Sequence, residues 1–103
     1  MHLHIGPAAQ ILRDLHKPWD LIFLDADKAG LLTYYEQLIP VMPSNSIMLI
    51  DNILWSGKVT EPAAKNDKDT KAILALNEHV ANDTRVEQVI LSARDGIMMV
   101  RKV

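Results

Sequence analysis

Two spacings of apolar residues alternate along the chain. Ala8, Ile11, Leu12 and Leu15 fall at i, i+3, i+4 and i+7, which predicts an amphipathic helix from Pro7 to His16. Pro7 suits its first turn, where the missing N–H costs nothing. Lys17-Pro18 ends it, because a residue before proline avoids helical geometry. The period then changes. Leu21-Ile22-Phe23-Leu24 is a continuous apolar run within a strand from Trp19 to Ala26, as in a parallel strand buried on both faces. Leu31, Tyr34, Tyr35, Leu38 and Ile39 mark the apolar side of a helix from about Ala29 to Met42, which Pro40 and Pro43 erode. Ile47-Met48-Leu49-Ile50 forms a second apolar strand within Ser46 to Asn52. Ser56 to Asp69 is polar and irregular and reads as a surface loop. Ile73, Leu76 and Val80 face inward from a third helix, Thr70 to Asn82, which Asp69 or Thr70 can cap. Val86 to Ser92 and Ile97 to Val103 are strands joined by Arg94-Asp95-Gly96, and Asp-Gly between β-prone runs is a hairpin signal.

Strands separated by helices imply right-handed crossovers in an α/β layered fold. The expectation is part of a doubly wound sheet, mostly parallel with an antiparallel last strand, and with helices on both faces. The 103 residues make one small domain without repeats. With 49% hydrophobic and 23% charged residues, the composition argues against disorder. A formal net charge of -2 gives no pull toward nucleic acid or anionic membrane. The absence of cysteine excludes disulfides, zinc–thiolate sites and thiol nucleophiles. No apolar run approaches the roughly 20 residues of a membrane span, and the first residues lack a signal-peptide pattern. A cytoplasmic location is therefore expected.

The chemistry gathers at two strand ends, Leu24-Asp25-Ala26-Asp27-Lys28 and Ile50-Asp51-Asn52. Open α/β sheets bind ligands outside the carboxyl ends of their strands. If the two strands are neighbours, Asp25, Asp51 and Asn52 offer an all-oxygen donor set. Hard divalent cations prefer such sets, Mg²⁺ first, with Mn²⁺ or Ca²⁺ as alternatives. The competing reading is that these are ordinary polar strand ends turning toward water. His2, His4, His16 and His79 show no metal-ligand spacing and read as surface or core residues.

Phe23-Leu24-Asp25-Ala26-Asp27-Lys28, then Tyr34-Tyr35-Glu36, then Leu49-Ile50-Asp51-Asn52-Ile53-Leu54-Trp55-Ser56-Gly57-Lys58-Val59 resemble the cation-dependent O-methyltransferases that use S-adenosylmethionine. That group contains the caffeoyl-CoA and catechol O-methyltransferases. Gly6-Pro7-Ala8, Asn77, Asp83-Thr84-Arg85-Val86 and Asp95-Gly96-Ile97 extend the likeness over nearly the whole chain. The resemblance implies that Asp25, Asp51 and Asn52 hold the metal. It also implies that Asp25 lies at the cofactor, that Lys28 is the general base and that Trp55 lines the substrate entrance. The implied substrate is a small hydroxylated aromatic. Chelation of a vicinal diol lowers its phenol pKa and aims the attacking oxygen. The family's glycine-rich cofactor turn has no counterpart among Gly6, Gly30, Gly57 and Gly96. Residues 1–103 are therefore expected to form a single partial domain, the C-terminal half of a Rossmann-like methyltransferase sheet without its cofactor-binding half, and inactive alone. In the family's strand order, 3-2-1-4-5-7-6, the strand ending at Asp25 becomes an open edge, which predicts homo-oligomers through that edge. A Pro-Gly-Gly turn of the family reads Pro43-Ser44-Asn45 here, a departure expected to alter a turn and not the metal site. Two other readings stand beside the enzyme. One is a non-catalytic remnant or oligomerising module that keeps the fold. The other, a receiver-like signalling domain, ranks last because no phosphoacceptor arrangement fits.

Overall fold

Pro7 stands just before the first helix in an extended conformation, one place outside the first turn the sequence suggested, and its carbonyl accepts from the N–H groups of Gln10 and Ile11, both at 3.1 Å. This helix, α1, spans Ala8–Asp14, and strand β1 spans Leu21–Leu24. The computed structural model describes residues 3–15, 18–51, 53, 68–92 and 96–103. The single helix expected from Ala29 to Met42 is three pieces: a 3₁₀ turn at Lys28–Gly30, helix α2 at Leu31–Leu38, and a second 3₁₀ turn at Ile39–Val41. Pro40 lies in that last turn, where a helical i→i−4 bond would have needed its N–H. Strand β2 follows at Ile47–Asp51, helix α3 at Lys68–Ala81, strand β3 at Val86–Leu91 and strand β4 at Ile97–Lys102. Lys68 and Asp69, read from sequence as loop, form the first turn of α3, where an acidic Asp69 suits the helix dipole. Residues 54–67 of that loop and 93–95 of the hairpin turn lie outside the described residues.

The four strands form one sheet in the order β1-β2-β4-β3. β1 and β2 are parallel, with Leu24 opposite Ile50. β4 is antiparallel both to β2 and to β3. The expectation of a mostly parallel sheet is therefore wrong. β1, β2 and β3 do point the same way, but β4 returns from β3 by a hairpin and inserts between β3 and β2. One reversed strand in the interior makes two antiparallel ladders where, at an edge, it would make one.

The expectation of helices on both faces also fails among the described residues. Alternation puts Met48 and Ile50 of β2 and Met98 and Val100 of β4 on one face, all fully buried. Leu31, Tyr35 and Ile39 from the α2 region and Leu76 and Val80 of α3 close over them in one core. Each such side chain contributes about 1.5–3 kcal/mol by leaving water. The opposite face carries Leu21, Phe23, Val89 and Leu91 at 65%, 58%, 51% and 43% exposure. No described helix is long and apolar enough to cross a membrane.

The Pro43-Ser44-Asn45 departure has a visible consequence. Asn45 takes φ 72°, a left-handed conformation that glycine adopts freely and that asparagine tolerates best among other residues. Its N–H donates to the Lys102 carbonyl at 2.8 Å, so the turn still delivers β2 in register beside β4.

Candidate functional site

The parallel register of β1 and β2 sets the site. Leu24 and Ile50 are Cα partners at the carboxyl end of both strands. Asp25 and Asp51 are the next residue on each, so both acidic tips sit on the same rim, on neighbouring strands. Asp25 is exposed and Asp51 half-buried. Strands in hydrogen-bonding contact lie about 4.8 Å apart, a separation that two carboxylates can bridge through one cation. The donor chemistry, two carboxylates on one rim, fits a hard divalent ion. Lys28 is half-buried at the start of the turn that follows Asp25. Asn52 and Trp55, the remaining sequence-derived site residues, lie outside the described residues.

The loop that carries Asp25 and Lys28 is braced from within. Tyr34 Oη donates to Asp27 Oδ1 at 2.6 Å, linking the loop to α2. That hydrogen bond to a carboxylate, helped by burial, raises the phenol above its ordinary pKa. Gly30 fits beneath the pair: a Cβ there would stand 2.7 Å from Asp27 Oδ2 and 2.8 Å from the Tyr34 ring. Gly30→Ala is therefore expected to push the pair apart and to cost about 1–3 kcal/mol, as overpacking does. A thermal melt with near-ultraviolet circular dichroism of the tyrosines checks it. An unchanged melting temperature and tyrosine signal would remove the brace. Sequence reading placed Tyr34 and Tyr35 at the helix–sheet contact. Both are buried there, but their hydroxyl partners went unrecognised.

The chain beyond Asp51 is held from two sides. The Ile53 N–H donates to the Gly96 carbonyl at 3.3 Å, and Asn77 Nδ2 of α3 donates to the Ile53 carbonyl at 3.2 Å. Ile53 itself is fully buried. α3 also packs against the Lys28–Gly30 turn. One helix thus braces both acidic motifs.

A second polar cluster lies away from the rim, where α2, α3 and the start of β3 meet. Tyr35 Oη donates to Asp83 Oδ2 at 2.7 Å. Arg85 donates to Asp83 through its backbone N–H and Nε, both at 2.9 Å, and through Nη2 at 2.8 Å. Arg85 Nη2 also reaches Glu36 Oε1 at 2.7 Å, which His79 Nε2 contacts at 2.5 Å. The guanidinium holds the Asp83 and Glu36 carboxyls below the usual carboxylate range, although burial opposes this at both. Burial, then the bond to Asp83, pushes the Tyr35 phenol up. Glu36, His79 and Asp83 offer ligand atoms within 4.8 Å of one another. However, the Arg85 guanidinium already bonds both carboxylates, and a cation would have to displace it. The cluster is a structural tie. Its sequence signal is the Asp83-x-Arg85 spacing, which lets one guanidinium fold back on the carboxylate.

A family description, O-methyltransferase, matches residues 1–103. A Dictyostelium discoideum protein named Probable caffeoyl-CoA O-methyltransferase 1 is 37% identical over 108 residues, covering 100% of this chain and 47% of its own. Among solved structures, a putative O-methyltransferase from Klebsiella pneumoniae is 25% identical, with a TM-score of 0.86 over 94% of this chain and 47% of that one. The S-adenosylhomocysteine-bound Podospora anserina methyltransferase PaMTH1 is 25% identical, with a TM-score of 0.83 over 95% of this chain and 47% of that one. The chain thus spans about half the length of the relatives it matches.

Proposed function

The chain belongs to the O-methyltransferase family, and from that premise we propose that it forms the metal-bearing, acceptor-binding half of an S-adenosylmethionine-dependent O-methyltransferase acting on a catechol-like hydroxyl. The observation that supports this reading is the parallel β1–β2 register, which sets Asp25 and Asp51 side by side. These two carboxylates, with Asn52 by resemblance, hold a divalent cation, Mg²⁺ first. When bound, the ion lowers the pKa of a chelated hydroxyl. By the same resemblance Lys28, at the start of the turn that follows Asp25, would take the released proton at a neutral Nζ. By that resemblance too, Trp55 would line the substrate entrance, and Asp25 would border the cofactor in a complete enzyme.

The residues present do not fit the sulfonium cofactor. Its pocket needs a glycine-rich turn after a strand, and the four glycines, Gly6, Gly30, Gly57 and Gly96, include no clustered pair. The 103-residue chain by itself is therefore expected to hold metal and acceptor without transferring methyl. Two measurements test this. Catechol is expected to show a cation-dependent catecholate absorbance shift with the chain plus Mn²⁺, beyond that of Mn²⁺ alone, and phenol none. Equal shifts with and without the chain would contradict the acceptor site. Radiolabelled S-adenosylmethionine is expected to yield no methylated catechol, and measurable turnover by the chain alone would overturn the half-site reading. The alternative, an interaction module without catalysis, draws support from the uncovered apolar face of the sheet.

A further inference from the structure

We propose that Asn77 of α3 is a positioning residue for the cation rim, holding the chain that leaves Asp51; this rests on the reading of Asp25 and Asp51 as a cation site. Ile73, Leu76 and Val80 are buried on the inner stripe of α3. Asn77 stands in the same stripe, four residues after Ile73 and three before Val80. An apolar residue is expected there. The amide instead reaches off its own helix, Nδ2 donating to the Ile53 carbonyl at 3.2 Å. Asn77 Oδ1 is buried and meets no hydrogen-bond partner among the described residues. A buried acceptor without a partner destabilises a fold, and a leucine, of similar branched shape, would avoid that loss. An asparagine at such a place is explained by what its other end holds.

Ile53 is a place where such a hold has effect. Its side chain is fully buried. Its N–H, in the peptide before it, donates to the Gly96 carbonyl at 3.3 Å. Its carbonyl, in the peptide after it, takes the Asn77 amide. One hydrogen bond leaves a segment free to pivot; a second, on the following peptide, fixes its direction. Asp51, two residues earlier, ends β2 opposite Ile97. The backbone is thus held on both sides of the step at which the second acidic tip leaves the sheet. α3 also packs against the Lys28–Gly30 turn beyond Asp25, so the helix that carries Asn77 meets the chain after each tip. Hard cations such as Mg²⁺ demand near-ideal ligand geometry. Groups that orient ligands without touching the ion change its affinity about 10–100-fold. Asn82 is the contrast. It is exposed, and its Nδ2 donates at 3.0 Å to the Glu78 carbonyl four residues back along the same helix.

Titration calorimetry with Mn²⁺ on the 103-residue chain tests the proposal, read well below the melting temperatures found by circular dichroism. Asn77→Leu is expected to raise the Mn²⁺ dissociation constant about tenfold while melting at or above the wild-type temperature. Asn82→Leu is expected to leave the constant unchanged. Unaltered affinity in Asn77→Leu, with or without a lower melting temperature, would mark a residue that only supports packing and would overturn the proposal. So would an equal loss of affinity in Asn82→Leu. In both cases the wild-type heats leave the cation site itself standing. A wild type silent to Mn²⁺ removes that site, and the positioning role with it. A measurement on the unaltered chain covers a variant that fails to fold. In a Mg²⁺ titration followed by NMR, the Asn77 side-chain amide and the Ile53 N–H are expected to shift with the same midpoint as the Asp51 N–H, and the Asn82 side-chain amide to stay in place. A stationary Asn77 signal would overturn the proposal.

Discussion

Asp83→Ala is expected to lower the unfolding free energy by about 2–3 kcal/mol, the cost of stranding partners of a hydrogen-bonded carboxylate. In a domain this small that corresponds to a fall of roughly 10–20 °C in melting temperature. The Asp83 side chain is 6% exposed and takes the Tyr35 hydroxyl and three N–H groups of Arg85. Its removal leaves the fully buried Tyr35 with an unpaired hydroxyl. Arg85 is 39% exposed, so water takes over part of its loss, which keeps the figure below that of a fully buried pair. Glu36→Ala should cost under about 1 kcal/mol, because Glu36 and His79 are each about two-fifths exposed.

The same tie fixes the pH response. Asp83 and Glu36 have folded pKa values below their unfolded ones. Their stabilisation is therefore complete above about pH 4, near the unfolded carboxylate value, and is lost as pH falls through the folded values. Tyr35 has the opposite sign. Its folded pKa is raised, so its contribution is complete below about pH 10 and decays above it. A melting-temperature profile should show a plateau with both shoulders, and Asp83→Asn should flatten the acid one. An acid limb unchanged in Asp83→Asn would show that the carboxylate does not carry it.

Asp51→Ala is expected to weaken Mn²⁺ binding about a hundredfold or more, since a hard cation loses a charged oxygen from a small donor set. Titration calorimetry reads this directly. Asp25→Ala should match it, because the register gives both tips equal standing on the rim. Asp51→Asn, which keeps an oxygen and drops the charge, should fall between. Asp20→Ala is the control: Asp20 precedes β1 at the opposite rim and is exposed. Identical heats for wild type and Asp51→Ala would remove the site.

Much of this was legible from spacing. Apolar runs such as Leu21–Leu24 and Ile47–Ile50 announce strands, and two such strands ending in aspartate suggest a shared rim. Ladder direction was harder to read. Nothing local in Ile97–Lys102 says whether it ends at an edge or inserts beside β2, because insertion depends on Met98 and Val100 finding the core beneath α2 and α3. The continuous apolar runs also misled about the faces. Phe23 and Leu49 are as apolar as Leu24 and Ile50, yet only the second pair meets helices among the described residues. The Asp83–Arg85 tie escaped because its partners, Tyr35 and Glu36, lie 48 and 49 residues away along the chain. The Asp27–Tyr34 brace is closer, seven residues apart. There an acidic loop residue, Gly30 and a following tyrosine were a readable signal once a tight turn is assumed.

The most direct test of the shared acidic rim is Mn²⁺ titration followed by amide NMR, where paramagnetic broadening reports distance from the ion. The account predicts that the amides around Asp25 and Asp51 vanish first, and that Asp51→Ala abolishes the effect. Broadening centred instead on Glu36, His79 and Asp83 would place the cation at the wrong cluster and contradict the account.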